Sequence, residues 1–349
     1  MMQISPETQL FIREHSSDDV RVLALQAKKY PDIDMPTAIT QIAGRKVAAE
    51  KIPSWWEIEK IWYPKHLSLE QCSSEITARY KARLLQGDSL TDLTGGFGID
   101  CSFLATGFKS ATYVERQEEL CEIAAHNFPV LNLNHINIKN EDGVTYLQAM
   151  SPVDCLFLDP ARRNEHGGKT VAISDCEPNV AELEELLLQK ANRVMIKLSP
   201  MLDLSLALKE LKQTQEVHIL SVNNECKELL ILLGQTSPAE ISIHCVNLFT
   251  KGTQKEQHFV FTREQEQCSE CTYTDSLETY LYEPNASLLK AGAFRSIAAA
   301  YPVRKLHPNS HLYTSDTFIE NFPGRIFRIV NQCSVNKKEV KENLADLKQ

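Results

Sequence analysis

The chain has no long apolar run. Its most apolar short segment, Leu229 to Leu233, is far too short to cross a bilayer. Glu7, Arg13 and Glu14 interrupt the N-terminus, where a secretory leader would need an unbroken hydrophobic stretch. No membrane association is expected, and the plain reading is a cytoplasmic protein. An excess of positive charge is also missing: 37 lysines and arginines stand against 46 acidic residues, for a net charge of −9. That balance argues against a generally basic nucleic-acid-binding surface but leaves room for a local basic patch. Paired metal-type cysteine spacing is absent too. Cys268-Ser-Glu-Cys271 is the one C-x-x-C among ten cysteines, with only His258 nearby, whereas a zinc site would want a second pair. No metal is therefore expected. Several other thiols (Cys155, Cys226, Cys245) lie in apolar runs, as reduced and buried cysteines do. No internal repeat or low-complexity segment occurs.

What is present is an ordinary globular composition, 43% hydrophobic and 24% charged, over a length sufficient for two or three domains. Residues 1–86 read as helical. Ser5-Pro6 offers a capping hydroxyl and a helix-starting proline, and Ser68-Leu69-Glu70-Gln71 has capping-box spacing. All three tryptophans fall between Trp55 and Trp62, where a small core joining the helices to the next domain is favoured over a binding face.

From Ser89 strands alternate with helices. The strands are Leu90–Asp92, Ser110–Glu115, Ile136–Ile138, Val153–Leu158 and Arg193–Leu198, with helical patterns between them. Val153–Leu158 is nearly all apolar, as a central parallel strand should be. Glu216–Val222 and Glu228–Gly234 then come with only Asn223-Asn224 as a turn signal, which predicts an antiparallel hairpin. Five β–α alternations closed by a hairpin make 87–235 a Rossmann-like, doubly wound α/β domain. Residues 236–330 read as a small α+β domain with strands at 240–249, 257–262 and 324–330 and a helix over 286–301. Lys337 to Gln349 reads as a charged amphipathic helix.

The first strand runs into Leu93-Thr94-Gly95-Gly96-Phe97-Gly98, a turn where three glycines let a ligand lie against the main chain and a following helix start presents free N–H groups. The second strand ends in Glu115, suited to gripping a pair of ribose hydroxyls. Asp142 follows the third strand and could accept from an adenine amino group. Asp159-Pro160 follows the fourth. Singly these read equally well as a solvated strand end, a turn or helix cap and an N-cap. Together they lie in order along one sheet edge, where open α/β sheets bind ligands.

In these residues the sequence resembles the class I S-adenosylmethionine-dependent methyltransferases. Asp92-Leu-Thr-Gly95-Gly96-Phe-Gly98 is similar to the family's glycine-rich first motif. Glu115, Asp142 and Asp159-Pro160-Ala161-Arg162 are similar to its acidic second, acidic third and Asp-Pro-Pro-x-type fourth motifs. The resemblance implies a seven-stranded methyltransferase sheet, with the hairpin as its last two strands. A closer resemblance is to the bacterial THUMP-like-domain-containing methyltransferases, through Leu69-Glu-Gln-Cys-Ser73-Ser74-Glu75, Tyr282-Glu-Pro-Asn-Ala286, Lys290-Ala-Gly292 and Phe322-Pro-Gly-Arg325. It implies an N-terminal helical domain, a ferredoxin-like domain over 236–330 and a last, RNA-binding THUMP-like domain. Only 331–349 remains for the last, so it is expected to be truncated.

The resemblance further implies S-adenosylmethionine as cofactor, held by Asp92, Thr94, Gly95, Gly96, Gly98, Asp100, Glu115, Arg116, Asp142 and Gly143. Asp159 and Pro160 become the catalytic pair, and RNA the partner. Arg162, Arg163 and Lys169 are candidates for substrate phosphate, or for ion pairs with the acidic helix Glu182–Glu185. Because the sulfonium methyl is already activated, the protein chiefly aligns donor and nucleophile. Lys197-Leu198-Ser199-Pro200 lacks the cysteine of the RNA 5-methyluridine enzymes. Attack by a base nitrogen is therefore favoured over covalent chemistry, for which Cys176 is the remaining candidate thiol. Two other readings compete. One is a non-catalytic RNA-binding or assembly factor that keeps the fold. The other is a nicotinamide-dependent dehydrogenase, whose fingerprint Gly96-x-Gly98-x-x-Cys101 matches only in part.

Overall fold

A computed structural model describes residues 4–162, 172–236, 238–334 and 336–345. It forms two compact units, one comprising 1–215 with 230–238 and the other 216–229 with 239–349.

The first unit opens with helices α1 (Pro6–Glu14), α2 (Val20–Leu25), α3 (Met35–Lys51), α4 (Pro53–Trp56), α5 (His66–Gln71) and α6 (Glu75–Ala82). Ser5 caps α1, and Asp34 caps α3 through the Thr37 N–H. Phe11, Leu23, Met35, Ala38 and Ile42 close a small core among the first three helices. A second core joins the helices to the glycine turn, packing Ile52, Trp55, Tyr63 and Leu69 against Phe97 and Ile99. Trp55 meets Phe97 edge-on at 5.2 Å and Trp62 stacks on His126 at 3.7 Å, so these two tryptophans serve packing.

The α/β part continues with β1 (Ser89–Asp92), α7 (Ile99–Ala105), β2 (Ser110–Glu115), α8 (Glu118–Val130), β3 (Ile136–Asn140), α9 (Gly143–Ala149) and β4 (Val153–Leu158). A two-residue ladder of β5 (Ala161–Arg162) with β6 (Cys176–Glu177) comes next. Then come α10 (Val180–Lys190), β7 (Ala191–Leu198), α11 (Leu204–Glu210), β8 (Thr214–Val222) and β9 (Glu225–Gly234). Asn223 and Asn224 both take positive φ, 50° and 67°, as a tight two-residue hairpin turn requires.

In the second unit β10 (Ser242–Leu248) lies parallel to β8, and β11 (Glu256–Thr262) antiparallel to β10. The full order is β11-β10-β8-β9-β7-β4-β1-β2-β3, so the seven expected strands are present, with the hairpin as the last two, and β10 and β11 extend the sheet to nine. The alternating sequence pattern of β10 and β11 fits a strand in any sheet and does not name its partner; β11 is the edge strand, while β10 is paired on both sides and largely buried. Strand order reverses between β1 and β4, which places the crevice of a doubly wound sheet beyond their carboxyl ends.

The second unit continues with α12 (Arg263–Cys268), β12 (Tyr280–Pro284), α13 (Ala286–Ala291), α14 (Phe294–Ala300), β13 (Arg304–Lys305), β14 (Tyr313–Ser315), β15 (Gly324–Arg328) and α15 (Lys337–Ala345). β13, β14, β12 and β15 form an antiparallel sheet in that order. The single helix expected over 286–301 is two, because Gly292 ends α13 in the left-handed conformation, φ +75°. No helix among the described residues is long and apolar enough to cross a membrane.

Candidate functional site

Three strand tips are tied together beside the crevice. Gly96 and Gly98 have φ of +53° and +86°, the region that favours glycine. The three glycines answer different needs. A Cβ on Gly95 would lie 2.3 Å from the Tyr113 ring, and one on Gly98 would lie 3.1 Å from Phe128. Both therefore serve close packing. At Gly96 the nearest atom would be the Thr94 carbonyl at 3.8 Å, so the turn is open there.

Glu115, at the tip of β2, is buried and aimed at this opening. Its Oε2 accepts from the Gly96 N–H at 2.9 Å, and its Oε1 from the Gln117 N–H at 2.8 Å. Thr94 links β1 to β4: its N–H donates to Asp92 Oδ1 at 2.9 Å, while its Oγ1 accepts from the Asp159 N–H at 2.6 Å.

Asp92 is buried, and its Oδ2 has no hydrogen-bond partner. Burial pushes its carboxyl well above the ordinary range, and the nearby carboxylates of Asp100, Asp159 and Glu115 add to this against the Thr94 N–H. A native state that holds the proton more tightly than the unfolded chain loses stability as pH rises from the unfolded value, near 3.9, through the folded one. We expect Asp92→Asn, which cannot ionise, to remove that loss. Urea midpoints measured across pH should diverge, with the variant gaining on the wild type as pH rises. Parallel curves would mean that Asp92 is charged in the native protein.

A buried ion network adjoins Asp159. Lys81 of α6, fully buried, reaches Asp100 Oδ1 at 3.0 Å. Lys197, near the end of β7, pairs with Asp159 Oδ2 and lies 3.5 Å from Asp100 Oδ2. The Ser73 hydroxyl donates to Asp100 Oδ2 at 2.7 Å and accepts from Lys81 at 2.9 Å and Lys197 at 3.1 Å. Burial alone would raise the Asp100 carboxyl, but the two ammonium groups outweigh it and hold Asp100 below the ordinary carboxylate range. Enclosure raises the Asp159 carboxyl while Lys197 pulls it down. The Asp159 side chain is still 36% exposed and its ammonium partner is in contact, so we take the ion pair as its state at neutral pH.

Of the residues picked out in the sequence, Asp92, Thr94, Gly96, Glu115 and Asp159 thus come together, and Pro160 is buried beside them. Asp100 is committed to Lys81, Lys197 and Ser73. Asp142 is exposed and caps α9, its Oδ1 accepting from the Val144 and Thr145 N–H groups at 3.0 Å each. Gly143 is required because a Cβ would lie 2.2 Å from the Leu93 carbonyl. Arg116 pairs with Glu177 at 3.3 Å on the surface. The Arg162 backbone pairs with Cys176, and Cys176 is buried. Arg163 and Lys169 lie outside the described residues. Sequence reasoning misses Lys81 and Lys197. For Lys197 the available signal is a lone lysine in the apolar strand Val194–Leu198; for Lys81 there is none.

A family model described as a ferredoxin-like domain matches residues 280–323. No curated protein matches the chain. Among solved structures, a protein of Porphyromonas gingivalis W83, described as a "putative methyltransferase", superposes with a TM-score of 0.86 at 34% identity, over 100% of this chain and 88% of its own. The chain belongs to that methyltransferase-fold family. An rRNA methylase of Streptococcus thermophilus matches 46% of this chain and 93% of its own at 14% identity and a TM-score of 0.33, too remote to add to this. Within the family's fold, the glycine turn, Glu115 and Asp159 of this chain stand at the carboxyl edge of the sheet, at the reversal of strand order.

Proposed function

We propose that the protein is an S-adenosylmethionine-dependent methyltransferase acting on a base nitrogen of RNA. The observation that carries this is the meeting of the Glu115 carboxylate with the N–H of Gly96 at adjacent strand tips. There an open glycine, a buried diol-binding acid and the unpartnered Asp92 Oδ2 fit an adenosine-type cofactor. Asp92, Thr94, Gly96, Gly98 and Glu115 would hold the cofactor, with Asp142 toward its base. Bound there, it supplies an electrophilic methyl group. The protein's own part is alignment and management of one proton. Asp159 Oδ1 would accept a hydrogen bond from an amino nucleophile while Lys197 fixes Oδ2. RNA as the substrate class rests on the resemblance to the THUMP-like-domain methyltransferases.

Titration calorimetry with S-adenosylhomocysteine tests the cofactor. Binding is expected for the wild type and its loss for Glu115→Ala. No heat from folded wild type, with Glu115→Ala indistinguishable, would remove this reading. Transfer of labelled methyl groups into fractionated cellular RNA, with nucleoside mass spectrometry of the product, tests the substrate.

One observation favours a second reading. The Lys197 ammonium already occupies the carboxylate that would receive the nucleophile, as suits an RNA-binding factor that has kept the fold without turnover. RNA binding by a protein that takes up the cofactor but transfers nothing would establish it.

A further inference from the structure

Three neighbouring strands of the second unit carry a row of stacked histidines that the cofactor crevice does not use. Glu216 and His218 are two residues apart on β8, so their side chains leave the same face of the sheet. In the parallel register His218 stands opposite His244 of β10. The His218 and His244 rings stack at 4.3 Å between centroids, and His244 and His258 of β11 at 5.3 Å. Glu216 Oε2 is 3.2 Å from His218 Nε2, and His258 Nε2 is 3.1 Å from His244 Nδ1. Ligand atoms of Glu216, His218 and His244 all lie within 4.8 Å of one another.

Stacked, hydrogen-bonded histidines can be mere packing, but two features go beyond that. A carboxylate, Glu216, joins the two imidazoles, so three donors from two neighbouring strands stand together rather than a ring stack alone. Glu216 and His258 remain partly exposed, at 31% and 40%, so the cluster is open to ions from solvent.

We propose that Glu216, His218 and His244 bind a divalent transition-metal ion of the zinc class, with His258 orienting the His244 ring. Two imidazoles and one carboxylate form a nitrogen–oxygen donor set that suits zinc and its neighbours, whereas calcium and magnesium take oxygen ligands. Zinc–ligand bonds of about 2.0–2.1 Å bring tetrahedral donors to roughly 3.3 Å apart, a closure that side-chain rotation on fixed strands can supply. Three protein ligands leave the fourth position to water. The ion would clamp β8 to β10.

The test uses the full chain, stripped with a chelator and titrated with Zn²⁺ against a chromophoric competitor. One tightly held equivalent is expected. It should disappear in His218→Ala/His244→Ala, persist in Cys268→Ser/Cys271→Ser, and weaken about 10- to 100-fold in His258→Ala, as loss of an orienting partner does. Circular dichroism checks that each variant is folded; Glu216→Gln, which preserves shape, stands in if the double variant is not. No bound equivalent in the wild type, undiminished binding in a folded His218→Ala/His244→Ala or Glu216→Gln, or loss of the equivalent in the cysteine variant would each overturn the proposal.

Discussion

Replacing Asp159 with alanine should lower methyl transfer about 100-fold or more, the contribution of a positioned proton acceptor, while S-adenosylhomocysteine still binds. The backbone of Asp159 helps hold Thr94, and that bond survives the substitution. What is lost is the carboxylate at the tip of β4 and the partner of Lys197. Asp159→Asn separates these effects. It retains a carbonyl acceptor of the same shape but no charge, so it should keep more activity than alanine. Lys197→Met would leave Asp159 as the sole ionised group of the pair and raise the pH at which activity appears, since the ammonium no longer holds the carboxyl down. Single-turnover rates across pH, beside calorimetric binding of S-adenosylhomocysteine, are the measurement. Unchanged turnover in Asp159→Ala would show that the acid is structural, and the catalytic assignment would have to move elsewhere on the same edge.

The parts of this site that could be read in the sequence are those whose meaning is local. A glycine turn between strand and helix, an acid closing the next strand, and an Asp-Pro after an apolar strand each carry their geometry with them. Order along a β–α series then fixes which edge they share. Asn223-Asn224 was legible for the same reason, because a two-residue loop between strands admits few backbone shapes. Lys81 was not. On a helix beside Tyr80 a lysine ordinarily reads as solvent-facing, and its burial depends on Asp100, a residue on another helix. The histidine row was hidden by distance along the chain. His218 and His244 meet only because β10 adds to β8 in register, and nothing in the alternation of Ser242–Leu248 names that neighbour. The break at Gly292 is a third kind of miss, an apolar periodicity long enough for one helix overriding a single glycine.

The other large effect lies in stability. Lys81→Met is expected to cost about 3–5 kcal/mol, the usual consequence of removing one partner from a buried ion pair. Asp100 would keep Ser73 and the more distant Lys197, at 3.5 Å, but would lose the ammonium at 3.0 Å. The charge stranded by the substitution, more than the methionine itself, causes the loss. Asp100→Asn in the Lys81→Met background should therefore restore part of it, although either change alone destabilises. Because Lys81 and Lys197 hold the Asp100 carboxyl low, its contribution to stability is present above the unfolded pKa, near 3.9, and fades as pH falls through the folded value. The penalty of Lys81→Met should accordingly be largest near neutrality and shrink in acid, where Asp100 takes up a proton. Urea unfolding of the two single variants and the double variant at neutral and acidic pH forms a complete cycle. Strictly additive losses, or a Lys81→Met penalty that does not change with pH, would mean that Asp100 is not held as an anion by the helix that supplies Lys81. The N-terminal helices would then be tied to the crevice by the Ser73 hydroxyl and by the packing of Ile52, Trp55, Tyr63 and Leu69 on Phe97 and Ile99.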